Sequence, residues 1–127
     1  MVHRDSLARL VGGNRYIRRL VPADLTVLAS STVYVQVPIL AIVSGTPYDP
    51  TADEVFMAFM PGSAQPTDDS WNAGSWQTTA QGNYIAQVLI GPENEGVVLA
   101  PATYSVWVKV VDSPEVPILP CGSLQIT

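Results

Sequence analysis

The sequence predicts an all-β protein: an antiparallel β-sandwich of about seven strands, preceded by an extended basic arm that carries a short helix. Three observations predict it. Apolar and β-branched residues alternate with a period of two in several short runs, the signature of half-buried strands. Clusters of Gly, Pro, Asn and Asp separate those runs, as turns require. Beyond residue 20 no stretch of useful length repeats its apolar residues at helical spacing.

The arm comes first. Asp5 or Ser6 stands where a helix cap is needed, Leu7, Leu10 and Val11 lie at i, i+3, i+4, and Gly12-Gly13 is a helix stop. A helix of about two turns is marginal alone in water, so order is expected only on docking. "NRYIRRL" follows, with Tyr16, Ile17 and Leu20 as apolar anchors among the cations. The arm is assigned to residues 1–22 and the sandwich to residues 23–127.

The body begins with a short strand in "DLTVLA" (24–29). In "VYVQVPILAIV" (33–43), Val33, Val35, Val37, Ile39, Ala41 and Val43 share one face, while Tyr34, Gln36 and Pro38 begin the other. Pro38 has no amide N–H and belongs at an edge, bend or bulge. "GTPYDPTAD" (45–53) is a turn cluster. "EVFMAFM" (54–60) is apolar on both faces, which predicts a strand central in the packing. The long loop 61–75 leads to a short strand opened by Trp76. "NYIAQVLIG" (83–91) alternates again, "PENEG" is an acidic turn, and "ATYSVWVKVVD" (102–112) is the clearest strand. "SPEVPILP" reads as an extended connection and "GSLQIT" (122–127) as the last strand.

Composition bounds function. With 127 residues, one domain can bury a core without metal or disulfide help. Charged residues make up only 13% against 47% apolar, where roughly 25% charged is usual, so part of the surface is expected to be covered by partners. The charge is also unevenly placed. Residues 1–19 hold five of the six basic side chains against one Asp, while residues 20–127 hold Lys109 against ten carboxylates. An acidic body with a basic arm points to a tail with its own binding task. The longest apolar run has eleven residues, interrupted by Gln36 and Pro38, too short to cross a bilayer. Pro22 and Asp24 break the stretch after the arginines, so no signal peptide is expected.

Little in the chain resembles a reaction centre. His3 is the sole histidine and Cys121 the sole cysteine, at opposite ends of the chain, which gives no support to a His-based metal site, a hydrolase triad or a Cys–His pair. The acid pairs Asp53–Glu54, Asp68–Asp69 and Glu93/Glu95 fall in or beside turns and lack EF-hand spacing. Gly12-Gly13-Asn14 lacks the continuation of a phosphate loop. Trp71, Trp76 and Trp107 invite a ligand-platform reading. The structural alternative places Trp107 in the sandwich core and uses Trp71 and Trp76 to pin the long loop. No enzyme activity, metal or cofactor is expected.

That leaves the arm as the binding element: Arg4, Arg9, Arg15, Tyr16, Ile17, Arg18, Arg19 and Leu20. Phosphate is one target for arginines, but the acidic body repels it. A membrane surface needs a longer amphipathic face. An acidic protein surface suits the mixture best, with guanidinium forks on carboxylates and Tyr16, Ile17 and Leu20 as plugs. A disordered tail is the bland alternative.

The series Asp49-Pro50-Thr51, Tyr84 with Gly91-Pro92, Tyr104–Asp112 "YSVWVKVVD" followed by Ser113-Pro114-Glu115, and final Gly122–Thr127 resembles small Ig-like β-sandwich proteins from the structural modules of tailed phages and prophages of actinobacteria. The resemblance covers residues 33–127 and leaves out the arm. It implies a virion component without catalysis, most concretely a capsid decoration or cement protein held to the shell by its arm. The alternative it allows is a head–tail, tail or baseplate accessory, with host-surface carbohydrate binding through Trp71 and Trp76. The partner implied is the major capsid protein or another virion protein, with many copies on a symmetric particle or a homo-oligomer. The expected location is the virion, after synthesis in the host cytoplasm.

Overall fold

The computed structural model describes residues 7–9, 15–19, 24–112 and 115–127. The chain is all-β, with two sheets closing on one core. The front sheet contains β1 (Leu7–Arg9), β2 (Arg15–Arg19), β4 (Val33–Val43), β9 (Tyr84–Ile90) and β8 (Ser75–Thr78) in the order β1-β2-β4-β9-β8, and β5 (Thr46–Tyr48) pairs with the end of β4. The back sheet has the order β3-β11-β10-β6-β7, from β3 (Leu25–Val27), β11 (Ile118–Ile126), β10 (Ala102–Val111), β6 (Glu54–Pro61) and β7 (Asn72–Ala73). Every pairing within the sheets is antiparallel except β3 with β11.

The period-two pattern decides which face is inside. Val35, Val37, Ile39 and Ala41 of β4 and Ala86, Val88 and Ile90 of β9 meet Val55, Met57 and Phe59 of β6, Val106, Val108 and Val110 of β10, and Leu119, Leu124 and Ile126 of β11. Each fully buried Val, Leu, Ile or Met contributes about 1.5–3 kcal/mol. No polar or charged residue is buried among those described, so the core carries no desolvation penalty for unpaired polar groups. Cys121 is part of this core, its thiol 3.5 Å from the Leu119 carbonyl.

Two glycines allow the closure. Gly74 lies between β7 of the back sheet and β8 of the front sheet, so the chain changes sheets there, with its N–H donated to the Val55 carbonyl at 2.8 Å. A Cβ at this point would sit 2.7 Å from the Gln87 carbonyl oxygen. Gly91 turns the chain out of β9 at φ +123°, where a Cβ would collide with the Ser31 carbonyl oxygen.

Four expectations need correction. The arm does not form a helix over Leu7: Leu7–Arg9 is a strand, with Leu7, Ala8 and Arg9 opposite Arg18, Ile17 and Tyr16 of β2. Two helical turns supply few hydrogen bonds of their own, whereas β2 offers a complete strand edge. Asp5, Ser6, Leu10, Val11, Gly12 and Gly13 of that expected helix lie outside the described residues. The last strand starts at Ile118, not residue 122, because Ile118, Leu119 and Pro120 continue the ladder against Lys109, Val108 and Trp107. Pro120 is accommodated where the register shifts between Val106 and Trp107, since a bulge leaves one residue unpaired. Trp107 is half-buried on the outer face of β10, opposite Ala58 and Pro120, and the inner face belongs to Tyr104, Val106, Val108 and Val110. Finally the strands number eleven among the described residues. The seven expected are joined by β1, β2, β5 and β7, of two to five residues each, too short to show a periodicity.

Candidate interaction surface

The arm residues singled out from the sequence enter the structure as backbone of the front sheet. Arg9 pairs with Tyr16 across β1 and β2. Arg15, Tyr16, Ile17, Arg18 and Arg19 form β2 and pair with Val43, Ile42, Ala41, Leu40 and Ile39 of β4. Five cations of the chain thus lie in its first nineteen residues, and four of them are brought onto one border of one sheet. Arg4 and Leu20 lie outside the described residues.

Next to that border the sheet is neutral. β4, β5, β8 and β9 contain no charged residue, and no strand of the front sheet contains a carboxylate. The outer face of β4 presents Tyr34, Gln36, Pro38 and Leu40, with Tyr34 50% exposed. Gln36 lies opposite Gln87, and Gln87 opposite Ser75. The Gln36 Nε2 donates to Gln87 Oε1 at 2.9 Å and to Gln77 Oε1 at 3.3 Å, and Gln87 Nε2 donates to Ser75 Oγ at 3.3 Å. Half-buried Ile85 and Leu89 of β9 flank this amide ladder. A neutral, partly apolar centre is the composition of an interface core, where charged residues are depleted. The arginine cluster is the sequence signal of the arm. The amide ladder has a sequence signal too, the long charge-free runs, but only the register aligns Gln36, Gln77 and Gln87.

The back sheet treats its outer face differently. The Lys109 ammonium lies 4.9 Å from the centroid of Phe56 and 4.8 Å from that of Trp71, so the cation is held between two ring faces. Segment 61–71, with a 3-10 turn at Asp68–Ser70, returns the chain from the end of β6 to β7, and Asn72 Nδ2 donates to the Met57 carbonyl at 3.2 Å. Ala58, on the outer row of β6, is fully buried. Trp76 donates its indole N–H to the Asp53 carbonyl at 2.9 Å. Trp71 and Trp76 thus both make intramolecular contacts. The Trp107 Nε1 is buried with no acceptor among the described residues.

The carboxylates of the described residues lie in loops or at strand ends and do not converge. Among the described residues no three His, Cys, Asp or Glu side chains gather to hold a metal. Asp49 caps its own turn: its Oδ1 accepts from the Thr51 hydroxyl at 2.7 Å and from the Thr51 amide at 2.9 Å. Those two bonds, the hydroxyl's first, hold the Asp49 carboxyl below its ordinary value of 3.8. Tyr48 donates to Asp112 Oδ2 at 3.3 Å. Among the described residues no helix is long and apolar enough to cross a membrane.

Comparison with family models, with curated proteins and with solved structures returns no match for this chain.

Proposed function

We propose that the chain is a non-enzymatic structural protein of a tailed-phage virion, an Ig-like domain that decorates the capsid and is anchored to a neighbouring virion protein through its arginine-bearing N-terminal strands. The observation that carries this reading is the placement of Arg9, Arg15, Arg18 and Arg19 on one border of a sheet that has no carboxylate. Cations gathered there attract an acidic partner to one defined edge, and that edge also offers backbone for strand addition. The virion setting rests on the resemblance carried by Tyr104–Asp112 and its flanking motifs.

Strand order supports the Ig-like part. β2-β4-β9-β8 follows the A-B-E-D order and β11-β10-β6 the G-F-C order of Ig sandwiches. Tyr104, near the start of β10, donates its hydroxyl to the Ala100 carbonyl at 2.6 Å, the bond of a tyrosine corner. Val106, two residues on, stands where antibody domains have their second cysteine, and here the core closes there without a disulfide.

The test is binding to purified phage heads and, separately, tails. The triple variant Arg15→Ser, Arg18→Ser, Arg19→Ser keeps the strand backbone and is expected to stay folded but lose most head binding. Wild-type binding should weaken steeply with salt. Head binding by the triple variant equal to wild type would show that the arginines do not anchor the chain. Deleting residues 1–20 is the harsher variant, because it also removes the partner strand of Ile39–Val43.

A further inference from the structure

We propose that segment 61–71 is a strap that opens as a unit off the outer face of the back sheet, and that the indole N–H of Trp107 sets the balance between its closed and open forms. This goes beyond the virion reading and does not rest on it.

The strap is fastened on both sides of Trp107. Ser105, Trp107 and Lys109 share the outer face of β10, opposite Met60, Ala58 and Phe56 of β6. At one end the Ser105 hydroxyl donates to the Gly62 carbonyl at 3.1 Å. At the other the Lys109 ammonium lies 4.8 Å from the centroid of the Trp71 ring. Between those fastenings Ala58 is fully buried, although its row faces outward. The Trp107 Nε1 is buried there too, with no acceptor among the described residues.

A donor shut away from water without an acceptor destabilises the state that buries it. In the open form water reaches the indole and pairs with it, so only the closed form carries this cost. The closed form is also lightly held. No residue of 61–71 is buried: Pro66, Ser70 and Trp71 are half-buried and the rest are exposed. Most of the segment's hydrogen bonds are its own. The Thr67 amide donates to Ser70 Oγ at 3.0 Å, the Ser70 amide to the Thr67 carbonyl at 3.0 Å, and the Ala64 amide to the Pro61 carbonyl at 3.3 Å. These bonds survive when the segment lifts. Among the described residues only the Ser105 hydrogen bond joins 62–71 to the sheet, and the contact of Trp71 with Lys109 adds to it. A segment with so few buried contacts opens locally, without unfolding of the whole domain. Opening uncovers Phe56, Ala58 and Met60 beside Trp107.

Cleavage of the whole chain by endoproteinase Asp-N at the Thr67–Asp68 bond, followed by mass spectrometry, reads the open fraction. In dilute urea the wild-type rate is expected to rise only slightly with denaturant, because a local opening exposes little surface. A rise with the full slope of global unfolding overturns the proposal. Replacing Trp107 with benzothienylalanine keeps the shape of the ring and puts sulfur where the N–H stands. Opening then no longer relieves an unpaired donor, and cleavage should slow by about 10-fold. Lys109→Met keeps the length of the side chain, removes the charge from Trp71, and should speed cleavage by about 3-fold. If Lys109→Met fails to fold by circular dichroism, Ser105→Ala, which loses the other fastening, takes its place with the same expected direction. Cleavage of the benzothienyl protein at or above the wild-type rate overturns the proposal, and so does a rate that neither fastening variant raises.

Discussion

Part of the outer face of the back sheet is roofed by the chain itself, whereas no described segment roofs the outer face of the front sheet, whose strands β4, β5, β8 and β9 carry no charge. In the back sheet, Trp71 and segment 61–71 lie over Phe56 and Lys109, and the buried Ala58 is on the same face. In the front sheet, Gln36, Gln77 and Gln87 satisfy one another and Tyr34 remains half exposed. Both sheets contribute to one core, so their inner faces do the same work. The difference teaches that the back sheet ties its outer surface to a loop, whereas the described outer surface of the front sheet is tied by side chains within the sheet itself. Substitutions on the inner faces should therefore cost stability equally from either sheet, and substitutions on the outer faces should cost more stability where the loop covers the back sheet than on the front sheet.

The largest effects test the shared core. Leu124→Ala in the back sheet and Ile39→Ala in the front sheet each remove a side chain that is at most 1% exposed. Each is expected to lower unfolding free energy by about 2–5 kcal/mol in urea denaturation. A cost confined to one sheet would mean that the two do not unfold together. Next comes Tyr104→Phe, which keeps the ring and removes only the bond to the Ala100 carbonyl. About 1 kcal/mol is expected, read in the same titration, and no loss at all would show that this bond is not part of what holds β10 at the corner.

The roof itself is a weaker element. Trp71→Ala removes a ring from the Lys109 contact at a surface site, where such contacts are worth about 0.5–1 kcal/mol. The comparison sharpens if Gln36→Ala, on the open sheet, changes stability by less than that. Equal losses from both would mean that the amide ladder holds the front sheet as firmly as the roof holds the back.

The inner faces were legible in the sequence because their signal is local and repeated. Val35, Val37 and Ile39, or Val106, Val108 and Val110, announce themselves by alternation alone. The arm's conformation was not legible, because Leu7, Leu10 and Val11 fit a helix as well as a strand, and the deciding contact is a backbone ladder between β2 and β4 that no side-chain pattern encodes. Trp107 was misplaced for a related reason: alternation puts it opposite Val106, but size suggested the core. The amide ladder depends on register between strands separated by 41 and 51 residues, which composition cannot supply. The arginine border was visible as a charge cluster, yet its position beside a neutral sheet was not.

The smallest effect concerns a turn at the border of the open sheet. Asp49 follows β5 directly, and its carboxylate accepts both the hydroxyl and the amide of Thr51. These bonds favour the ionised form, so the folded-state pKa lies below 3.8. A depressed carboxylate contributes stability that is present above the unfolded value and is lost as pH falls through the folded one. The window is therefore acid, from 3.8 downward, and neutral pH is unaffected. Asp49 is fully exposed, so solvent screening keeps the energetic effect small and a direct titration is the better readout. Carbon-detected NMR of the Asp49 carboxyl should show a midpoint below 3.8 in the wild type. In Thr51→Val, which loses the hydroxyl and keeps the amide, the midpoint should rise part of the way back. An unchanged midpoint would mean that the amide alone sets it, and that the hydroxyl bond of this turn carries no preference for the charged form.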